Sequence, residues 1–233
     1  ALCDGKKYIL LPSAQDHKRI GENDKGLNTG GMGAYSPTPI LSNSELSIIC
    51  KKIIEPTIDE LIKRNIEYKG VLYIGLMITK SGPKVIEYNC RFGDPECQTI
   101  MPLMDSNFVN ILYKCASGNL NGDEELLSSS KVSACVIASS KGYPENYNVG
   151  YPITFNNDES EDIQVFHSGT SINKEGIVLS NGGRVLSVVC QGNDFDSAFN
   201  LVYKVLGDIN FEGIYFRRDI GHQVRKNFSD GDH

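Results

Sequence analysis

The strongest structural signal in the sequence is a β-hairpin centred on Ser81-Gly82. Residues 69–80 are rich in Val, Leu, Tyr and Ile, and residues 83–89 return after the two-residue turn. β-Branched and aromatic residues on both sides of a glycine-containing turn are typical of two paired antiparallel strands. The hairpin therefore predicts an antiparallel sheet in this part of the chain.

Three polar residues alternate along the returning strand: Glu87, Asn89 and Arg91. Because a strand repeats its faces every two residues, all three are expected on one face, with Ile86 and Tyr88 in the core. The Cα atoms of Glu87 and Asn89 should then lie roughly 6–7 Å apart. A carboxylate and a carboxamide oxygen suit magnesium, which prefers oxygen ligands. The same alternation also fits a solvent-exposed strand face, so spacing alone leaves both interpretations open.

The strand runs directly into residues 91–96, Arg-Phe-Gly-Asp-Pro-Glu. Arg91 can bind phosphate or carboxylate through its forked guanidinium, and Asp94 can hold an amine. Pro95 suits the first turn of a helix, which places Glu96 near a helix N-terminus. An internal salt-bridged turn is the alternative interpretation.

A second candidate site lies in the glycine-rich segment 24–33, whose backbone N–H groups could wrap an anion. It is no dinucleotide fingerprint, because residues 34–37 (Ala-Tyr-Ser-Pro) follow where a helix should begin. A plain flexible turn remains the alternative. The ionisable run 16–19 just upstream would, alone, be a solvated charge run. We expect residues 12–39 to form one long loop without regular structure.

Helix signals and short apolar runs predict two domains. Ser42 and Glu45 have capping-box spacing at the start of a helix that Pro56 should kink or split. Asp105 or Ser106 should cap a second helix that stops at Gly118. Beyond a polar stretch lie several short strands and one helix at 194–206. The prediction is an α+β fold, with residues 1–130 and a small β-rich domain at 131–233 that packs one helix.

Composition excludes several classes of function. The chain has 233 residues, of which 40% are hydrophobic and 22% charged, as in ordinary globular proteins. A net charge of −6 argues against nucleic acid as a partner, and the lack of a long apolar run argues against a membrane partner. The 7 cysteines are scattered without a Cys-x-x-Cys pair, so we expect reduced thiols and a cytoplasmic location.

Several strings of the sequence closely resemble those of the phosphoribosylamine–glycine ligase family, ATP-grasp enzymes of purine biosynthesis. The resemblance covers nearly the whole chain, in residues 11–19, 24–37, 70–76, 83–96, 138–144, 167–170 and 181–185. It implies the second half of an ATP-grasp catalytic domain, an antiparallel sheet with helices, followed by a small C-terminal domain. Family members are considerably longer, so the resemblance also implies an N-terminal half before residue 1.

The resemblance implies a role for each candidate residue. Glu87 and Asn89 would bind the magnesium or manganese ion that holds the phosphates of ATP, and Arg91 would be catalytic. No further acid occurs at 71–79, which leaves the shell of a second metal open. The residues that would bind the substrates glycine and 5-phosphoribosylamine are Asp16, Lys18, Asn28, Thr29, Gly30 and Asp94.

The family's reaction is expected to proceed through glycyl phosphate, which the ribosyl amine attacks to give glycinamide ribonucleotide, ADP and phosphate. This chemistry requires positioning and charge neutralisation. Two alternatives stay open: an ATP-grasp ligase for another acid and amine, and a non-catalytic phosphoribosyl-binding module. We expect the isolated chain to fold but to be inactive, because the other half of the grasp is absent from it.

Overall fold

A computed structural model describes residues 1–104, 107–121, 124, 126, 128–155 and 160–226. Their contacts define two compact units that interleave along the chain. The first contains Ala1–Pro12, Thr38–Gly93 and Met104–Ser129, and the second contains Ser13–Pro37, Asp94–Leu103 and Ser130–His233. The last segment begins at the boundary predicted from sequence. Two earlier segments, however, fold with it, so one cut near residue 130 does not separate the units.

The described residues of the first unit form five strands and three α-helices. The strands are β1 (Leu2–Asp4), β2 (Tyr8–Ile9), β7 (Lys69–Val71), β8 (Tyr73–Thr79) and β9 (Gly82–Asn89). The helices are α1 (Asn43–Ile49), α2 (Glu55–Lys63) and α4 (Phe108–Ser117). Strands β2, β1 and β7 form one antiparallel sheet, whereas β8 and β9 form the hairpin. The single strand predicted over 69–80 is therefore two strands in separate sheets, interrupted at the buried Leu72.

The helices of this unit follow the sequence signals closely. Ser42 caps α1 in a complete capping box with Glu45, as predicted. A π-helical turn, Cys50–Ile54, then separates α1 from α2, which carries Pro56 in its first turn. The predicted split is thus confirmed, because proline has no N–H to continue the hydrogen-bond ladder. Helix α4 ends at Gly118, whose φ of 75° is left-handed as expected of a helix stop. The predicted caps Asp105 and Ser106 lie outside the described residues.

The second unit contains the remaining elements. Its helices are α3 (Glu96–Ile100) and α5 (Phe195–Gly207). Its strands before residue 100 are β3 (Gln15–Asp16), β4 (Arg19–Gly21), β5 (Lys25–Asn28) and β6 (Gly33–Ser36). Its later strands are β10 (Val132–Ser140), β11 (Thr154–Phe155), β12 (Ile163–His167), β13 (Thr170–Ile172), β14 (Val178–Ser180), β15 (Arg184–Gly192), β16 (Ile209–Asn210) and β17 (Ile214–Tyr215).

A six-stranded antiparallel sheet forms the centre of this unit. Its order is β12-β15-β10-β6-β3, and β17 also pairs with β10. The prediction that residues 12–39 form a loop was wrong, because four short strands lie there. Strands of two to four residues are too short to show an alternating pattern. Strand β6 is buried throughout and pairs with β3 on one side and with β10 on the other.

Helix α5 packs on this sheet and completes its core. Asp194 caps it in a reciprocal pair of hydrogen bonds with Ser197. Phe199, Val202 and Leu206 repeat at helical spacing and are all buried. The second unit is thus β-rich, with α5 as the long helix packed on its sheet. Among the described residues, no helix has both the length and the apolar character needed to cross a membrane.

Candidate functional site

The β8–β9 hairpin presents Glu87 and Asn89 on one face. Glu87 pairs with Gly75 and Asn89 with Tyr73, without a register shift between the two pairs. The glycine leaves room for the Glu87 side chain, since a Cβ at position 75 would lie 3.1 Å from Glu87 Cγ. Side-chain hydrogen bonds are absent from both Glu87 and Asn89 as far as the described residues go. Their oxygens are therefore available to a ligand.

The prediction that Ile86 and Tyr88 lie in the core was wrong. Ile86 is 62% exposed and Tyr88 is 45% exposed. Strands β8 and β9 form a sheet of only two strands. A β-bulge also interrupts the alternation, because Leu76 pairs with Val85 while Gly75 pairs with Glu87, which leaves Ile86 without an opposite residue. Val85 and Tyr88 consequently line the same open groove, of about 470 Å³, beside α2.

Glu87 and Asn89 fit a hard divalent cation that is shared with a second ligand. A carboxylate and a carboxamide supply the oxygen donors that magnesium prefers. The described residues contain no group of three or more His, Cys, Asp or Glu side chains that could hold a metal alone. Magnesium usually keeps several waters and substrate phosphates in its shell, so two protein oxygens meet this pattern.

Arg91 follows the hairpin and is exposed. Its Nη1 donates one hydrogen bond, of 2.7 Å, to the carbonyl oxygen of the adjacent Phe92. The ion pairs of the described residues do not include Arg91. The guanidinium therefore retains donors for an anion in solution.

In the second unit, Asp16 and Lys18 lie on one face of the chain and His17 on the other. Lys18 Nζ lies 3.0 Å from Asp16 Oδ2, while Asp16 Oδ1 has no hydrogen-bond partner among the described residues. Burial raises the pKa of Asp16 to about 7, and the charge of Glu96 adds to this effect while Lys18 opposes it. Asp16 is thus a buried carboxyl group that can change its protonation state near neutral pH.

His17 is buried and belongs to the packing of the second unit. Its Nε2 accepts a hydrogen bond from the Gly221 backbone N–H at 3.3 Å and lies 3.0 Å from Gln223 Oε1. Burial lowers the pKa of His17 to about 4, so the imidazole is neutral at physiological pH. The ionisable run 16–19 is therefore more than a solvated charge run.

The glycine-rich loop, residues 29–32 between β5 and β6, uses its backbone N–H groups for hydrogen bonds within the protein. Thr29 N donates to Lys18 O at 2.8 Å, and Met32 N donates to His17 O at 2.9 Å. Gly31 N donates to Thr29 Oγ1 at 2.9 Å, and Gly30 N donates to Tyr143 Oη at 3.0 Å. The loop is an internally bonded turn, and its four consecutive donors at 29–32 do not form the open anion cradle considered from sequence.

Asp94 lies beside this loop because Arg184 joins the two. Arg184 Nη2 donates to Asp94 Oδ2 at 2.6 Å, and Arg184 Nη1 donates to the carbonyl oxygen of Gly30 at 3.0 Å. Gln98 Nε2 occupies the other Asp94 oxygen at 2.9 Å. A Cβ at Gly31 would lie 2.4 Å from Pro95 Cδ and 2.7 Å from Asp16 Oδ1. The structure thus brings together segments 16–18, 29–31 and 94–95 within the second unit; their role in binding substrates stays a prediction.

Arg184, Tyr143 and Arg217 were not identified from sequence as parts of this site. The first two bond the glycine-rich loop directly, and Arg217 donates to Asp24 Oδ1 at 3.0 Å and to Arg19 O at 3.0 Å. All three lie more than a hundred residues after the loop, so no local spacing links them to it. The one available signal was that the first two fall in strings that the family resemblance had singled out.

The fold of helices and antiparallel sheets is that of an ATP-grasp protein. Residues 1–97 match the sequence model described as phosphoribosylglycinamide synthetase, ATP-grasp (A) domain. Residues 133–223 match the model described as phosphoribosylglycinamide synthetase, C domain. The chain belongs to the phosphoribosylglycinamide synthetase family.

Individual relatives agree with this assignment. The chain is 49% identical over 226 residues to phosphoribosylamine–glycine ligase of Synechocystis sp., an alignment that covers 96% of this chain and 54% of the relative. The ligase of Leptospira interrogans is 40% identical over 225 residues, with 96% and 52% covered. The crystal structure of the Thermotoga maritima ligase superposes with a TM-score of 0.83 at 32% identity, covering 94% of this chain and 54% of that one. The chain thus spans about half the length of these relatives.

Proposed function

We propose that this chain carries the C-terminal half of a ligase that joins glycine to 5-phosphoribosylamine at the expense of ATP. The observation that carries the proposal is the succession of two domain matches from one family, at residues 1–97 and 133–223. The products would be glycinamide ribonucleotide, ADP and phosphate. The family's ATP-grasp domain supports ATP as the source of the phosphoryl group.

Glu87 and Asn89 are the residues that would hold a magnesium or manganese ion. When bound, such an ion neutralises the charge that phosphate oxygens carry during phosphoryl transfer. Within the described part of the chain neither side chain forms a hydrogen bond, which supports this role. Magnesium or manganese is proposed on the chemistry of the donors, which are oxygens only.

Arg91 would orient an anionic group next to these ligands. Its planar fork matches a carboxylate or phosphate in two parallel hydrogen bonds. Holding the carboxylate of glycine in line with the transferred phosphoryl group supplies much of the rate in a reaction that needs little acid–base chemistry. We therefore assign Arg91 to catalysis.

The second unit supplies the proposed substrate-binding residues. Both substrates contain an amine and an anionic group, so a mixed set of charges and polar groups suits them. Asp16 and Lys18 provide one charge of each sign at 3.0 Å, and the neighbouring loop provides backbone and hydroxyl oxygens. The proposed set is Asp16, Lys18, Asn28, Thr29, Gly30 and Asp94.

The isolated chain should be inactive, because it spans about half of its relatives. An ATP-grasp site closes on its nucleotide from two sides, and we propose that this chain supplies one of them. We place the protein in the cytoplasm, which the 7 unpaired cysteines support.

The test is an assay of ADP release by the longer ligase that carries this segment, and by the isolated chain. Glycine and freshly prepared phosphoribosylamine should both be required, and the isolated chain should show no turnover. Activity with another acid or amine in preference to these two would favour a different ATP-grasp ligase. Phosphoribosyl binding without any ADP release from the longer protein would favour a non-catalytic binding module.

A further inference from the structure

We propose that Arg184 is a positioning residue that fixes the glycine-rich loop against Asp94 and thereby sets the geometry of the proposed substrate site. The inference rests on the proposed function for its kinetic consequence. Its structural part stands on contacts within the second unit alone.

The Arg184 guanidinium joins two segments that are distant in sequence. Nη1 donates to the carbonyl oxygens of Gly30 at 3.0 Å and of Asp94 at 3.1 Å, and Nη2 donates to Asp94 Oδ2 at 2.6 Å. The Arg184 side chain is 19% exposed and the Asp94 side chain 46%, so water screens the ion pair in part. Charge-assisted hydrogen bonds of this kind are roughly twice as strong as neutral ones.

The backbone that carries Arg184 is itself held firmly. Arg184 opens β15, and its carbonyl oxygen accepts a hydrogen bond of 3.0 Å from Gly169 N. Gly169 and Gly182 pack so closely that a Cβ on Gly169 would lie 2.7 Å from Gly182 Cα. The backbone of Arg184 is therefore held in place, and its guanidinium can hold the glycine-rich loop in one position.

Tyr143 provides a second attachment for the same loop. Its hydroxyl oxygen accepts the hydrogen bond from Gly30 N at 3.0 Å, while its ring lies against the backbone of Gly183. A Cβ on Gly183 would lie 2.2 Å from Tyr143 Cδ2, so the ring needs a glycine there. Both backbone groups of Gly30 are thus bonded, the carbonyl oxygen by Arg184 and the N–H by Tyr143.

Arg184 is assigned to positioning, and not to direct substrate binding, because its charge is already paired. Asp94 neutralises the guanidinium, and both hydrogens of Nη1 have carbonyl acceptors. A lysine has the charge but cannot span Gly30 and Asp94 with one planar group. Segments 138–144, 167–170 and 181–185 therefore share one role in this proposal: they hold the glycine-rich loop in position.

The first measurement is amide hydrogen exchange of the 233-residue chain, comparing the wild type with Arg184→Gln and Arg184→Lys. Exchange at residues 29–32 should rise roughly tenfold or more in both variants, as expected when hydrogen bonds to a charged group are lost. Exchange in the centre of β10 should stay unchanged. Arg64→Gln is the matched control, since Arg64 forms an exposed ion pair of 2.8 Å with Glu60 on α2.

Tyr143→Phe keeps the proposal testable if an Arg184 variant fails to fold. It removes one hydrogen-bond acceptor and should raise exchange at Gly30 while leaving the amides of β15 unchanged. Wild-type exchange at 29–32 in a folded Arg184→Lys chain would overturn the proposal.

The second measurement is steady-state kinetics of the longer ligase with the same variants. The KM for glycine or phosphoribosylamine should rise roughly tenfold in Arg184→Lys, with the KM for ATP unchanged, because small displacements at a substrate site cost large factors in rate. Equal effects on all substrates, or none, would contradict the positioning role. If the wild-type ligase itself lacks glycine-dependent ADP release, the proposed function fails, and the exchange result still decides whether Arg184 positions the loop.

Discussion

Arg217 and Asp219 form a bidentate ion pair in the interior of the second unit. Arg217 Nε donates to Asp219 Oδ1 and Nη2 donates to Asp219 Oδ2, each at 2.8 Å, and the arginine side chain is 0% exposed. The remaining nitrogen, Nη1, bonds Asp24 and the carbonyl oxygen of Arg19, which belong to the hairpin of β4 and β5. A buried cation thus joins the β4–β5 hairpin, which follows the proposed Asp16–Lys18 site, to the segment after β17.

Replacing Arg217 should be strongly destabilising. Arg217→Met leaves the Asp219 carboxylate buried without its cation, and breaking such a pair costs about 3–5 kcal/mol. Urea unfolding followed by circular dichroism measures the loss. Arg64→Met is the matched control, for which we expect less than about 1 kcal/mol because its ion pair is exposed. Equal losses for the two variants would contradict this account.

Asp16 and His17 should affect the pH dependence of stability in opposite directions. The folded His17, with its pKa lowered from 6.5 to about 4, binds fewer protons than in the unfolded chain, so acidification from pH 6.5 to 4 destabilises the fold. The folded Asp16, with its pKa raised from 3.8 to about 7, binds more protons, so acidification from pH 7 to 4 stabilises it. The two effects largely cancel in the wild type.

Asp16→Asn should therefore reveal the contribution of His17 to the pH dependence of stability. Between pH 6.5 and 4, the free energy of unfolding of this variant should fall more steeply than that of the wild type, by about 1 kcal/mol per pH unit. Urea unfolding at half-unit pH steps measures the slope. Glu145→Gln, which alters an exposed side chain, should keep the wild-type slope. A wild-type slope in Asp16→Asn would refute the buried-carboxyl assignment.

Glu87→Gln should weaken metal dependence with little effect on folding. The side chain is exposed and has no protein partner among the described residues, so its loss changes few contacts. In the longer ligase, the magnesium concentration for half-maximal activity should rise by roughly tenfold or more, as for loss of an ionised ligand. Glu175→Gln, at an exposed turn, is the control. Identical magnesium titrations for both variants would count against the ligand role.

Two glycines of the second unit should respond to alanine in opposite ways. At Gly183 the new Cβ would lie 2.2 Å from Tyr143 Cδ2, so Gly183→Ala must displace the ring and should cost about 1–3 kcal/mol. At Gly207, in the last turn of α5, an added Cβ would meet no heavy atom of the described residues within 4 Å apart from its chain neighbours and the backbone of its own helix, so Gly207→Ala should stabilise by about 0.4–1 kcal/mol. Thermal unfolding of the two variants tests the contrast, and a stabilised Gly183→Ala chain would disprove the packing described for Tyr143.

The sequence predicted those parts of the molecule that local patterns control. The capping box at Ser42, the split at Pro56 and the helix stop at Gly118 each depend on neighbouring residues, and all three were confirmed. The alternation of Glu87 and Asn89 also holds, because no bulge falls between them. Their role as metal ligands stays a prediction.

Features that depend on distant partners could not be predicted. The bulge at Ile86 is a property of two strands, and one strand's pattern does not contain it. Strand β6 lies in the interior of its sheet only because it pairs with β10, which follows about a hundred residues later in the chain. The Arg184–Asp94 ion pair likewise joins residues separated by 90 positions, which no motif spacing records.

The interleaving of the two units has a consequence for biosynthesis. Strand β6 emerges from the ribosome about a hundred residues before β10, yet Ser36 pairs with Ser133, so the nascent strand must wait for a partner that has not been translated. The first unit is likewise completed only when the segment up to Ser129 has been made. Cotranslational folding normally proceeds from the N-terminus, domain by domain, but here each unit begins with an early segment that waits for a much later one before it can fold. A stalled or shortened nascent chain would therefore expose the apolar face of β6 to chaperones instead of releasing one finished domain.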